Sequence, residues 1–296
     1  MSVNDYYGNK QGTTVLQIFS EPLDGSPNIV HRSLRDADAY DTWHLAYYFK
    51  EVLEYKRLMQ HKSLKVMDIP RPEKNLLLYL LFSADRSFKS VGEIGSTLFE
   101  MIDGFEAIVK SVSDGNALIP KLPIKEFEYI GIDLSEMLRL TSKVIHPEFN
   151  VALYGTVPEF RDQVDIIYDR SVTNYAFNNV QELVDFVQHG KVALLNTYFS
   201  LGDTFESARL GKAVTYFSLE EFLGKIEKPF YHLFGFRAPS HGRDMSLGNP
   251  VVEGFFYYGD QYVLNSFMEL SKADPAIAKY FTDKEIHPRD SRLLLA

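Results

Sequence analysis

Val91-Gly92-Glu93-Ile94-Gly95 and Tyr129-Ile130-Gly131-Ile132-Asp133, the second beginning 38 positions after the first, decide how this chain reads. Each is a short apolar run of the length of a buried strand. The first ends in a carboxylate and a glycine where the chain must turn sharply, and the second ends in a lone aspartate. Two parallel strands closing in this way suit a nucleoside-binding α/β domain. There, glycine lets the backbone approach the ligand and a carboxylate takes the ribose diol.

Outward from this pair the period of the apolar residues alternates. Upstream, Leu45, Tyr48, Phe49, Val52, Leu53 and Met59 recur at helical spacing and predict an amphipathic helix over 36–60. Pro72, favoured in a first turn, opens a second helix over 72–84. Downstream, strands are predicted at 90–95, 128–133, 150–154, 164–168 and 191–197, with helices at 98–112, 135–144 and 180–188 between them. Gly104 lies inside the first of these helices, and Gly190 is placed to close the last. Ser218-Leu219-Glu220-Glu221 and Thr282-Asp283-Lys284-Glu285 both read as capping boxes. The last two strands, 231–237 and 252–258, have no helix pattern between them and so pair antiparallel.

The expected fold is α/β and Rossmann-like, a seven-stranded, mostly parallel sheet with a C-terminal antiparallel hairpin strand and helices on both faces. A mainly helical N-terminal arm and cap spans 1–85, with one short strand at 14–19. The main domain occupies 86–262, and a helical tail packs on it over 263–296.

Composition narrows the functions. Of 296 residues, 45% are hydrophobic, including 22 Phe and 18 Tyr, enough for a large core. Forty acidic against 31 basic residues give a charge of −9 without a basic cluster, a poor surface for nucleic acid. The absence of cysteine excludes disulfides, a thiolate nucleophile and thiolate-bound zinc. No histidine pair has helix-borne zinc spacing, so no metal is expected. The first ten residues lack the apolar core of a secretory signal, and the longest apolar run, 76–82, is far short of the roughly 20 residues of a membrane span. The expectation is a cytoplasmic protein with a small-molecule partner and no membrane or nucleic-acid contact.

With these motifs in this order, residues 88–260 resemble the class I S-adenosylmethionine (AdoMet)-dependent methyltransferases, with a fainter similarity to sugar O-methyltransferases. Glu93-Ile94-Gly95 matches the start of that family's first motif, E-h-G-x-G-x-G, and Gly131-Ile132-Asp133-Leu134-Ser135 resembles its second. Asp165-Ile166-Ile167-Tyr168-Asp169 sits at the fourth. The resemblance implies AdoMet as cofactor, held by Glu93, Gly95, Ser96, Thr97, Asp133, Leu134, Asp169 and Arg170. Two features depart from the pattern. Thr97 and Phe99 stand where the family has glycine, and Asp133 follows Gly95 by 38 residues, which a loop containing Gly115, Pro120 and Pro123 would explain.

Bland roles stand beside these. Asp133 also suits an N-cap, Glu93 a carboxylate bonding the loop backbone, and Gly95 any tight turn. The polar stretch after strand four offers Asp169 as a base, Asn174 to orient an amine or carbonyl, and Tyr175 as a ring face for a sulfonium. It would also serve as a solvated loop. Tyr198 occupies the equivalent edge of strand five, and His241 in a polar loop could deprotonate a hydroxyl near neutral pH. Trp43 and His44 on the cap helix reach substrate only if the cap closes over the cofactor. Phe255-Phe256-Tyr257-Tyr258 reads as core, with a homodimer contact as its second use.

Three functions stay open. The first is in-line methyl transfer to a small polar or aromatic metabolite. The second uses AdoMet but attacks its aminocarboxypropyl carbon, by transfer or cyclisation. The third is a catalytically silent binding or scaffold protein. An intact Asp133 favours the first two, and the missing glycines favour the last two.

Overall fold

The computed structural model describes residues 37–70, 72–113, 122–157, 160, 163–169, 171–209, 212–234 and 250–296. The arm at 1–36, Gly115 and Pro120 of the loop, Arg170, and the loop carrying His241 lie outside them. Strands β1 (Ser90–Ile94), β2 (Glu128–Ile132), β3 (Asn150–Tyr154), β4 (Val164–Asp169) and β5 (Gly190–Ser200) run parallel in the order β3-β2-β1-β4-β5.

Three further strands form a hairpin and a short addition that were not expected. β6 (Phe205–Arg209) and β7 (Lys212–Ser218) pair antiparallel, and β7 joins the end of β5 through Phe199–Phe217 and Ser200–Ser218. Beyond β5 come β9 (Val251–Tyr258) and then β8 (Phe230–Phe234), each antiparallel to its neighbour, and the two-residue β10 (Arg289–Asp290) on the outside. The described residues therefore build a ten-stranded sheet in place of the expected seven. The hairpin had a legible signal in the two-residue spacer Leu210-Gly211 between strand-prone runs. Two residues of β10 are too few to show a period.

Every residue of β4 is buried, as a parallel strand covered on both faces requires. At its amino end Asp165 Oδ2 accepts from the Lys89 and Ser90 N–H groups at 2.5 and 3.0 Å, and Oδ1 faces Lys191 Nζ at 2.6 Å. Burial works to raise this carboxyl, but the Lys191 ammonium and the two N–H groups hold it below the usual range. The carboxylate thus pins β1, β4 and β5 at the end away from the turns.

One face of the sheet carries α2 (Pro72–Ala84), α3 (Glu100–Ser113), α8 (Gln261–Ala273) and α9 (Pro275–Asp283), all contributing to one core with Phe105, Phe127, Tyr129 and Phe267. α2 is buried all round from Asn75 to Ser83, matching its unbroken leucine run. The other face carries α6 (Val180–Gln188) and α7 (Leu219–Lys225). α1 (Ala37–Leu58) packs on α3 and on α4 (Glu136–Ile145). Ser135, Asn179 and Ser218 cap α4, α6 and α7 through their side-chain oxygens. No helix among the described residues is long and apolar enough to cross a membrane.

Local expectations are corrected at three points. The stretch after β4 is not only loop, because Thr173–Ala176 forms a one-turn helix, α5. Gly190 follows the C-cap His189 as expected but without a positive φ, and it begins β5, where an added Cβ would lie 2.5 Å from the Val192 carbonyl oxygen. Thr282 does not open a helix. It ends α9, its hydroxyl donating to Ala278 O at 2.9 Å, and the chain leaves through Glu285 at φ 54°.

Gly104 has a packing reason, because a Cβ there would sit 2.1 Å from Asn75 Nδ2 on α2. Helix propensity alone favours Gly104→Ala by about 1 kcal/mol, while wedging the two helices apart costs about 1–3 kcal/mol. Gly104→Ala is expected to lower stability in urea denaturation by about 1 kcal/mol net. A gain in stability would mean α2 and α3 do not meet at this point.

Candidate functional site

The carboxyl ends of β1 and β2 meet around one carboxylate. Past β1, Gly95 turns at φ 70° and its N–H donates to Ile132 O at 2.8 Å, extending the pairing by one residue. Thr97 and Phe99 follow at φ 49° and 56°. The two positions that lack glycine therefore keep the left-handed backbone glycine would adopt, at a strain of about 1–3 kcal/mol each. Three contacts hold Thr97 and Phe99 in place. Thr97 N donates to Asp133 Oδ2 at 3.0 Å, and Thr97 Oγ1 donates to Glu100 Oε2 at 2.7 Å. The Phe99 ring lies in the core against Gly131, where a Cβ would be 2.6 Å from two of its atoms.

Asp133 is half-buried, and its Oδ1 accepts from Ser135 N at 2.9 Å. It stands at the end of a parallel strand, the place where nucleoside-binding α/β folds present a carboxylate to a ribose diol. Leu134 beside it is 81% exposed, an apolar platform at the strand end. Glu93 is fully buried, in register between Gly131 of β2 and Tyr168 of β4, and Ser96 is fully buried as well.

The end of β4 adjoins this turn. A Cβ on Gly95 would sit 2.3 Å from Val172 Cγ2. Asp169, fully buried, accepts from Val172 N at 2.8 Å and Thr173 N at 3.2 Å, and lies 3.0 Å from Thr173 Oγ1. Contacts continue from Thr173 Oγ1 to Thr197 Oγ1 at 2.8 Å and from there to Asn174 Oδ1 at 2.7 Å. Each threonine has one hydrogen, and only a protonated Asp169 gives every contact in this row its own. Burial raises the Asp169 carboxyl to about 6, against the N–H bonds from Val172 and Thr173.

Asn174, 1% exposed, donates to Tyr198 O at 3.0 Å and Thr215 O at 2.7 Å and accepts from Tyr198 N at 3.1 Å. It thereby clamps the β6–β7 hairpin to β5. Tyr175 and Tyr198 are half-buried, and Tyr198 meets Tyr216 edge-on at 6.1 Å, which stacks on Phe205 at 4.7 Å. These rings form an aromatic wall beside the strand ends.

Trp43 and His44 lie on α1. Sequence reasoning did not find a cleft lined by Glu51 and Tyr55 of α1, Lys74 and Asn75 of α2, Glu100 and Met101 of α3, and Tyr168. It is a hollow of about 10 Å³, room for about one water, beside the first turn of α3. Its lining comes from four separate elements, and no spacing in the chain announces it.

No family model matches the sequence, and no curated protein matches it. Similar solved structures include the N-terminal domain of EvdMO1 with SAH bound, 9% identical, covering 71% of this chain and 95% of that one at a TM-score of 0.45. Streptomyces venezuelae DesVI is 15% identical over 63% of this chain and 92% of that one, at 0.38. SAM-bound CalS10, an amino pentose methyltransferase from Micromonospora echinaspora, is 10% identical over 63% of this chain and 89% of that one, at 0.39. At these identities and scores the likeness carries nothing about the ligand.

Proposed function

We propose that this protein is an AdoMet-dependent methyltransferase acting on a small polar or aromatic metabolite. The observation that carries this is Asp133, a half-buried carboxylate at the end of β2 that is bonded to the turn after the adjacent parallel strand. The resemblance of the flanking motifs to class I AdoMet-dependent methyltransferases points the same way.

The residues present fit that cofactor. Asp133 would take the ribose hydroxyls and Leu134 the flat face of adenine. The first turn of α3 would take the amino-acid carboxylate. Bound there, AdoMet supplies an electrophilic methyl carbon. The chain's own work is placement, holding an acceptor nucleophile in line about 3 Å away and excluding water. Tyr175 and Tyr198 would line the acceptor side, with Trp43 and His44 from the cap, and His241 would serve as the base for a hydroxyl acceptor. The other two readings rest on the substitutions at 97 and 99. Because the backbone there keeps its glycine-like conformation and the Phe99 ring lies in the core, neither substitution favours them.

Calorimetric titration with AdoMet and with S-adenosylhomocysteine tests the proposal. Saturable binding of both, with a flat baseline afterwards, is expected. A sustained heat with AdoMet alone would redirect the reading to lyase or cyclisation chemistry, and no binding by folded protein would end it. Asp133→Asn keeps one acceptor for Thr97 N–H but loses the charge. It is expected to weaken S-adenosylhomocysteine binding about 30-fold, the worth of charged bonds to a diol. Unchanged affinity would move the ribose elsewhere.

A further inference from the structure

Behind the β1 turn, at a seam between helices, lies a pair of buried ionisable groups that the proposed chemistry does not use. His146, the C-cap residue of α4, and Asp103 on α3 are each 2% exposed. His146 Nε2 lies 3.1 Å from the Leu98 carbonyl oxygen and 3.4 Å from Asp103 Oδ2. A carbonyl oxygen only accepts, so Nε2 carries the hydrogen. The ring meets Phe149 edge-on at 6.0 Å. From the cap, Lys56 Nζ stands 3.8 Å from the other Asp103 oxygen. Burial lowers the imidazole to about 4 and raises the Asp103 carboxyl to about 8, with Lys56, Glu100, Glu106 and Glu148 as the surrounding charges. At neutral pH the ring is therefore a neutral donor.

Leu98 is the residue between Thr97 and Phe99, the two left-handed positions without glycine. Such strain persists only where neighbours over-determine the backbone. Asp133 and Glu100 hold Thr97, and Gly131 receives the Phe99 ring. The peptide between them has its carbonyl held by His146, and the Leu98 side chain is packed with Val52 and Leu138.

We propose that His146, with Asp103 beside it, is a positioning residue for the turn after β1. By holding the Leu98 carbonyl, it keeps Thr97 N–H and the first turn of α3 in the orientation that meets Asp133. Val52 of helix α1, packed on Leu98, meets the same turn. The consequence for ligand affinity rests on the AdoMet reading, whereas the consequence for the turn does not.

The test compares wild type, His146→Ala, His146→Gln and Asp103→Asn in the full chain, by amide hydrogen exchange and by S-adenosylhomocysteine titration. In His146→Ala, exchange at Thr97 and Phe99 is expected to rise about tenfold over that of the sheet core, and affinity to fall about tenfold. His146→Gln, whose side-chain N–H can reach the same carbonyl, is expected to recover most of both. Asp103→Asn is expected to fall between them, and with His146→Gln it carries the test if His146→Ala does not fold. Lower thermal stability with unchanged exchange at the turn would mean a packing role alone and overturn the proposal, as would a glutamine variant no better than alanine. Wild type that fails to bind ligand would end the AdoMet reading, and the exchange data would still decide the positioning role.

Discussion

Gly95→Ala is expected to cost about 4 kcal/mol of folding free energy, the sum of a left-handed backbone and an overpacked contact. Gly95 sits at φ 70°, and the new methyl would lie 2.3 Å from Val172 Cγ2. The two parts separate in a double-mutant cycle. In a Val172→Ala background the same substitution is expected to cost only about 2 kcal/mol, because the crowding is largely gone and the backbone strain remains. Urea denaturation of the four proteins measures this. Equal costs in both backgrounds would mean that the turns after β1 and β4 do not touch. Since the turn carries the Thr97 N–H that meets Asp133, any folded Gly95→Ala protein is also expected to bind S-adenosylhomocysteine more weakly.

Asp169→Ala is expected to lose about 4 kcal/mol, because the Val172 and Thr173 N–H groups are left buried without their acceptor and Thr173 Oγ1 without its donor. Asp169→Asn should behave differently. Its amide can accept from both N–H groups and donate to Thr173 Oγ1, reproducing the protonated acid. The folded carboxyl is raised from 3.8 to about 6, principally by burial. Its stabilising contribution is therefore complete below the unfolded value and lost as pH rises through about 6, a loss of about 3 kcal/mol. The stability of wild type relative to Asp169→Asn should fall by about that amount between about pH 4 and about pH 7.5. A difference that does not change with pH would place an ionised carboxylate in the network and remove the proton assigned to it.

The placement of the motifs shows what was legible from local pattern. The strand ends expected at Gly95, Asp133 and Tyr168 fall within one residue of those observed at Ile94, Ile132 and Asp169, and the start of α2 at Pro72 and the Ser218 cap follow from first-turn chemistry. Both depend on residues within a few positions of each other. The hairpin at 205–218 was legible in part, but the helix cap that follows was the stronger local signal. The cleft at the start of α3 and the His146–Asp103 pair were not legible, because each joins side chains from separate elements.

By itself, the sequence determined that two short buried strands end in a turning glycine and an acceptor carboxylate, since burial period and turn chemistry are properties of neighbouring residues. Only the tertiary structure decided that Thr97 and Phe99 take the conformation of the glycines they replace. The energy that holds them there comes from Asp133, Gly131 and His146, which lie far along the chain and meet the turn only when the sheet and its helices pack.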